Sequence, residues 1–122
     1  MKLEDSFVPH EVAKAYKEAG FNEPCFAWWM YPNSVKLDSV STQPPHDDFC
    51  SAPTYEQLSN WLREYHDILL CPLIRRSGPD LLYGFNVISI STLSLIDESS
   101  KVADYDVAYS EALLKALKHL KK

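Results

Sequence analysis

His46-Asp47-Asp48-Phe49-Cys50 places four side chains able to ligate a metal or move a proton within five residues. A metal needs several such groups converging on one point, and sequence neighbours converge only where a loop wraps the ion. No second cluster at ligand spacing occurs, so the segment reads as a polar loop between prolines. His46, Asp47 and Asp48 are its candidate polar site. His66-Asp67 is the next constellation. A histidine at a helix end meets exposed carbonyls and the negative end of the dipole, while beside a pocket it acts as a base. No Ser or Cys nucleophile adjoins His66, which favours the capping role. Cys71 lies in the apolar run Leu69-Leu70-Cys71-Pro72-Leu73, where a thiol is less reactive.

Arg75-Arg76 has the chemistry of a phosphate or carboxylate clamp. Adjacent strand residues point to opposite faces, which weakens a joint clamp. Neither a phosphate-binding loop nor a dinucleotide glycine fingerprint occurs, and the chain holds only 3 glycines. The run Phe26 to Tyr31 is the densest aromatic stretch. Base-stacking platforms pair such rings with nearby Lys and Arg, and the first basic residue downstream is Lys36. Packing in the core is the default, and Trp28, Trp29 and Tyr31 are the candidate protein interface if one face is open. No catalytic, cofactor or metal-ligating residue is assigned.

The elements that must position these groups follow from periodicity. Pro9 opens and Gly20 closes a helix over 9–19, with Val12, Ala15, Tyr16 and Ala19 as its apolar stripe. Phe21 is placed to fold back onto the last turn. Cys25 to Tyr31 reads as a strand that is central or covered on both sides. Pro32-Asn33 leads to a short strand through Val35 and Leu37, and an exposed loop follows to residue 53. Thr54 and Gln57 form a capping box ahead of a helix whose buried stripe is Tyr55, Leu58, Trp61, Leu62 and Tyr65. Ile68–Arg76 and Leu82–Ile90 read as a hairpin about Ser77-Gly78-Pro79-Asp80. A shift of phase at Val87 implies a bulge or a strand buried on both faces. Residues 91–103 read as a loop or short strand extension, and Asp104 caps a last helix over 105–120.

The order α-β-(β)-α-β-β-α predicts an α+β fold: a mainly antiparallel sheet of three or four strands with three helices packed on it, as one domain over 1–122. A chain of 122 residues excludes a TIM barrel, and 46% hydrophobic content excludes disorder. Three cysteines without a C-x-x-C spacing fit a reducing, cytoplasmic setting. No signal-like segment or membrane span occurs. The net charge of -5 disfavours direct binding to nucleic acid. Residues 113–122 hold 4 Lys and no acid, and the other 112 residues carry 8 basic and 17 acidic groups, or -9. A basic helix end on an acidic body is the result.

Three stretches carry a resemblance: Gly20-Phe21-Asn22-Glu23-Pro24-Cys25-Phe26; Ala52-Pro53-Thr54-Tyr55 with Trp61-Leu62-Arg63-Glu64-Tyr65-His66-Asp67-Ile68; and the last helix with Tyr109, Glu111, Ala112 and Leu113. Together they resemble small uncharacterised proteins of gut Bacteroidales, often encoded by phages or mobile elements. That group has no assigned activity, so the resemblance supplies no catalytic residue. The leading expectation is a cytoplasmic accessory or binding domain acting through protein-protein contacts or self-association. The alternative is a ligand-binding protein or enzyme with a pocket near 32–53, using His46, Asp47, Asp48 or His66. A third reading, an acidic protein engaging a nucleic-acid-processing enzyme, requires a contiguous acidic face.

Overall fold

The computed structural model describes residues 7–21, 25–31, 34–42, 50–51 and 53–120, with side chains described for 7–21 and 53–120. The fold is α+β. Its elements are α1 (His10–Glu18), β1 (Cys25–Tyr31), β2 (Ser34–Thr42), β3 (Cys50–Ser51), α2 (Tyr55–His66), β4 (Ile68–Ser77), β5 (Asp80–Ser89), β6 (Ser94–Glu98) and α3 (Tyr105–Ala116). A 3-10 turn, Leu117–His119, ends the last helix where α-helix is expected to run to 120. The strands form two three-stranded antiparallel sheets, β2-β1-β3 and β4-β5-β6, where the sequence predicts one sheet. Each hairpin acquires a third strand from its own side of α2, so local pairing completes both sheets. The chain falls into two compact units, Met1–Gln57 and Leu58–Lys122.

In the first unit α1 ends in a Schellman motif. Phe21 N–H donates to the Tyr16 carbonyl at 2.9 Å, and Gly20 N–H to the Lys17 carbonyl at 3.2 Å. Gly20 has φ 110, a region closed to most L residues, and Phe21 is buried. β1 is the middle strand of its sheet, as expected of a strand apolar on both faces. It pairs with β2 through Ala27↔Leu37 and Trp29↔Val35, and with β3 through Trp28↔Ser51 and Trp29↔Cys50. The 32–53 segment, expected as mostly loop, thus contributes two strands. The capping box closes reciprocally: Thr54 N–H donates to Gln57 Oε1 at 2.9 Å, and Gln57 N–H to Thr54 Oγ1 at 3.1 Å.

The second unit centres on β5. It pairs with β4 without interruption from Ile68↔Ser89 to Ser77↔Asp80. The loop between them is only Gly78-Pro79. Gly78 has φ 60 and proline holds φ negative, the sign pattern of a type II′ turn that suits the twist of a hairpin. The phase shift at Val87 is a bulge whose extra residue sits on the partner strand. Val87 faces Asp97 and Ile88 faces Leu95, so Ile96 of β6 has no counterpart.

α3 lies on the face of this sheet that carries Tyr83, Phe85 and Val87. Asp104 Oδ1 caps it, accepting from Asp106 N–H at 2.9 Å and Val107 N–H at 3.1 Å. Phe85, Ala108 and Ala112 form a buried cluster, with Leu70, Tyr83, Val102 and Tyr109 packed around it. In α2, Leu58, Trp61 and Leu62 are buried as predicted. Tyr65 is not: it is 61% exposed. The last turn packs His66 instead, whose ring lies 4.5 Å from that of Trp61.

Past Glu98 the chain leaves β6 but stays on the rim of β5. Ser99 N–H donates to the Phe85 carbonyl at 2.9 Å, and Phe85 N–H donates to Ser99 Oγ at 2.8 Å. Ser99 is 3% exposed, so this hydroxyl stands where a strand carbonyl would otherwise be. Tyr83 and Val102 then exchange both backbone hydrogen bonds. Removing the hydroxyl strands a buried N–H, which costs ~1–3 kcal/mol. Ser99→Ala is therefore expected to lower the unfolding free energy by that amount, read as a lower urea midpoint with an unchanged m-value, whereas Ser100→Ala at the neighbouring exposed position leaves the midpoint within error.

Candidate functional site

Of the candidate polar site His46, Asp47, Asp48 and His66, only the His66 side chain is described; Cys71 is a free, half-buried thiol, and Arg75 and Arg76 are exposed. His46, Asp47 and Asp48 lie outside the described residues. Trp28, Trp29 and Tyr31 are placed in β1 by their backbone, and their side chains lie outside the described structure. His66 lies in the last turn of α2. Its Nδ1 is buried without a hydrogen-bond partner among the described residues, and the ring packs on Trp61.

The turn after α2 is held by Asp67. Its backbone is left-handed, φ 63, and its carbonyl accepts from Ile90 N–H at 2.9 Å. Its Oδ2 accepts from Ser91 Oγ at 2.6 Å and from Ser91 N–H at 3.1 Å. One carboxylate thereby ties the α2–β4 corner to the end of β5. Aspartate suits the position because its short side chain tolerates a positive φ and hydrogen-bonds nearby.

A second polar group joins β6 to the end of α3. His119 Nε2 lies 3.1 Å from Asp97 Oδ2, and Lys115 Nζ lies 4.0 Å from Asp97 Oδ1. Lys115 also donates to the Glu98 carbonyl at 2.9 Å, and Lys101 lies 3.9 Å from Glu98. Lys115 and His119 are thus engaged within the chain, and the acids of β6 are interleaved with cations. Among the described residues no nucleophile joins the Asp97–His119 pair, and its geometry fits a clamp on the helix end.

The aromatic concentration that is open to view lies elsewhere. Phe85 stacks on Tyr109 with centroids 4.5 Å apart, and Tyr105 meets Tyr83 edge-on at 5.7 Å. The Tyr109 hydroxyl is hydrogen-bonded to Ser59 Oγ. Cross-strand pairing puts Ile74 opposite Tyr83 and Arg76 opposite Leu81, all on the α3 face. α3 covers β5 but stops short of this end. Ile74 is 69% exposed, Leu81 and Tyr105 are each 42% exposed, and Arg76 is exposed. Arg75 points to the other face, and neither arginine enters an ion pair among the described residues.

The opposite face carries a row of Leu69, Ile88 and Leu95 across three strands. Tyrosine and arginine anchor contacts more often than leucine does, which ranks the Ile74–Tyr105 patch first. Sequence inspection missed it because Ile74 and Leu81 look like ordinary strand residues. The offset of α3 that exposes them is a tertiary fact.

No protein-family model matches the chain, no curated protein matches it, and no solved structure matches it. The likeness drawn from the three sequence stretches rests on those stretches. Among the described residues, no group of His, Cys, Asp and Glu is placed to hold a metal ion, and no helix is long and apolar enough to cross a membrane.

Two measurements probe the polar clamps. Asp67→Ala removes the acceptor and leaves a left-handed residue without its compensation, an expected loss of ~1–3 kcal/mol. Asp67→Asn keeps the tolerance of that backbone and is expected to lose less, read by chemical denaturation. The Asp97 carboxyl sits below its ordinary 3.8, first because of the His119 hydrogen bond and then the Glu98 N–H. A depressed pKa adds stability that is complete above the unfolded value and fades as pH falls through the folded one. Stability measured from about pH 5 to pH 2 is expected to fall less steeply in Asp97→Asn than in the parent, with the gap between them closing at the acid end.

Proposed function

We propose that this chain is a small non-enzymatic binding domain that acts through protein contacts. The observation that carries the reading is the apolar patch at the end of the β4–β5 hairpin, where Ile74, Leu81, Tyr83 and Tyr105 adjoin on the α3 face. Isolated surface hydrophobics are ordinary, but a contiguous group that includes Tyr and is rimmed by Arg76 has the composition of an interface. Two arginines at the tip of a chain with net charge -5 offer few phosphate contacts, so the partner is a protein rather than a nucleic acid.

The patch is small, so contact there belongs with interfaces burying less than ~1,200 Å² in total and with transient association. A photo-crosslinking amino acid at Leu81 tests the reading directly. An adduct with a protein of defined mass is expected, and it should disappear when Ile74→Asp is added. The same crosslinker at Glu64, on the exposed side of α2, serves as the reference. Equal labelling at both positions, or none at Leu81, removes the reading.

A further inference from the structure

Resting on the reading of the hairpin end as a docking surface, we infer that its partner presents a short acidic strand that adds to the outer half of the β4 edge. The backbone makes the place. Tyr83 exchanges both backbone hydrogen bonds with Val102, at 2.7 and 2.9 Å, so it faces away from β4. In an antiparallel ladder its partner Ile74 then turns its own N–H and C=O outward, and Arg76, two residues on, does the same. Among the described residues nothing pairs with these groups. β4 is an edge strand, and every residue from Ile74 to Ser77 is exposed. Pro72 closes the run on its inner side by lacking an N–H. The open edge therefore runs from Leu73 to Ser77, enough for a short peptide strand.

Side chains along this edge set the chemistry of the occupant. Ile74 and Arg76 stand on the α3 face, and Leu73 and Arg75 on the other. Both arginines are exposed, and neither enters an ion pair among the described residues. No acid lies between Leu73 and Ser77. Asp80 stands across the hairpin on β5, and the Asp104 carboxylate is spent on the α3 cap, so an added strand meets the charges of β4 first. An antiparallel strand passes Arg76, Arg75, Ile74 and Leu73 in that order. Complementarity asks it for acid, acid, apolar, apolar. Its residue opposite Ile74 continues the patch of Ile74, Leu81, Tyr83 and Tyr105. A second copy of the same edge fits poorly. Centred on Arg75, the pairing sets like charges opposite each other; centred on Ile74, it sets Arg76 against Pro72, which has no N–H to give.

Fluorescence anisotropy of fluorescein-labelled Thr-Glu-Glu-Val-Ile-Thr-amide, titrated with the whole chain, tests the inference. Saturable binding with a dissociation constant on the order of 100 µM is expected, weakening as salt rises. Replacing both glutamates by lysine is expected to weaken it at least ~10-fold, and the double variant Arg75→Glu, Arg76→Glu reverses the preference between the two peptides. Circular dichroism melts establish that the double variant is folded. A methyl group on the valine nitrogen, which faces Ile74, is expected to abolish binding. One on the second glutamate nitrogen, which turns away from β4, leaves it within ~3-fold. No saturation up to about 1 mM chain, or binding indifferent to the valine methyl, overturns the inference. An oligothymidylate that displaces the peptide, with both methylated peptides binding alike, gives the arginines to phosphate and overturns it too. If the peptide fails while Leu81 still yields its adduct, the acidic strand is lost and the docking surface stands. If neither appears, both are lost.

Discussion

The close approach of α3 to Phe85 is the constraint on which the second unit depends. Ala108 and Ala112 present almost no side chain, so the helix axis comes near enough to the sheet to bury the ring, 2% exposed, beneath it. Burying a phenylalanine side chain is worth ~1.5–3 kcal/mol, and the dispersion contacts of a tight fit add to that. The helix seats chiefly on β5 and touches β4 and β6 less. α3 lies over β5, and the outward half of β4 is left beside it. Tyr83, Tyr105 and Tyr109 fill the step around the ring, and the position of the exposed group at the hairpin end follows from that seat.

The polar connections serve the same arrangement at its borders. Asp67 fixes the corner where α2 gives way to β4, and Asp104 starts α3 just after Val102 has closed on Tyr83. Lys115 and His119 hold the far end of α3 against β6. Between them Ser99 completes the ladder where β6 has already ended. Each polar group meets a backbone need that an edge or helix terminus creates, and that need accounts for where such side chains occur.

Much of the local structure was legible in the residues. The Gly20 terminus, the Thr54–Gln57 box, the Asp104 cap and the Gly78-Pro79 turn are short-range devices, each decided by two to four neighbouring side chains. The bulge announced itself as a slip of phase in β5, although the extra residue, Ile96, lies across the ladder. What failed was long-range. Tyr65 has the spacing of a buried position but falls where the helix stripe runs out. Two sheets in place of one, and an exposed Ile74, depend on which strand a helix covers, and periodicity along a single strand holds no record of that. The candidate site was legible only as composition, an abundance of Tyr and Trp, because the group at the hairpin end depends on where α3 sits.

Pro72 has a consequence of another kind. Its partner across the hairpin is Phe85, and both backbone groups of Phe85 turn away from β4 to meet Ser99. In an antiparallel ladder the residue opposite such a position also turns its backbone outward. Pro72 therefore stands on the outer rim of β4 at a point where a neighbouring strand would look for an N–H, and it has none. A ten-residue strand at the margin of a sheet would otherwise be a template for open-ended stacking of chains. One missing proton in the middle of that margin interrupts the repeat and makes the edge a poorer template for pairing.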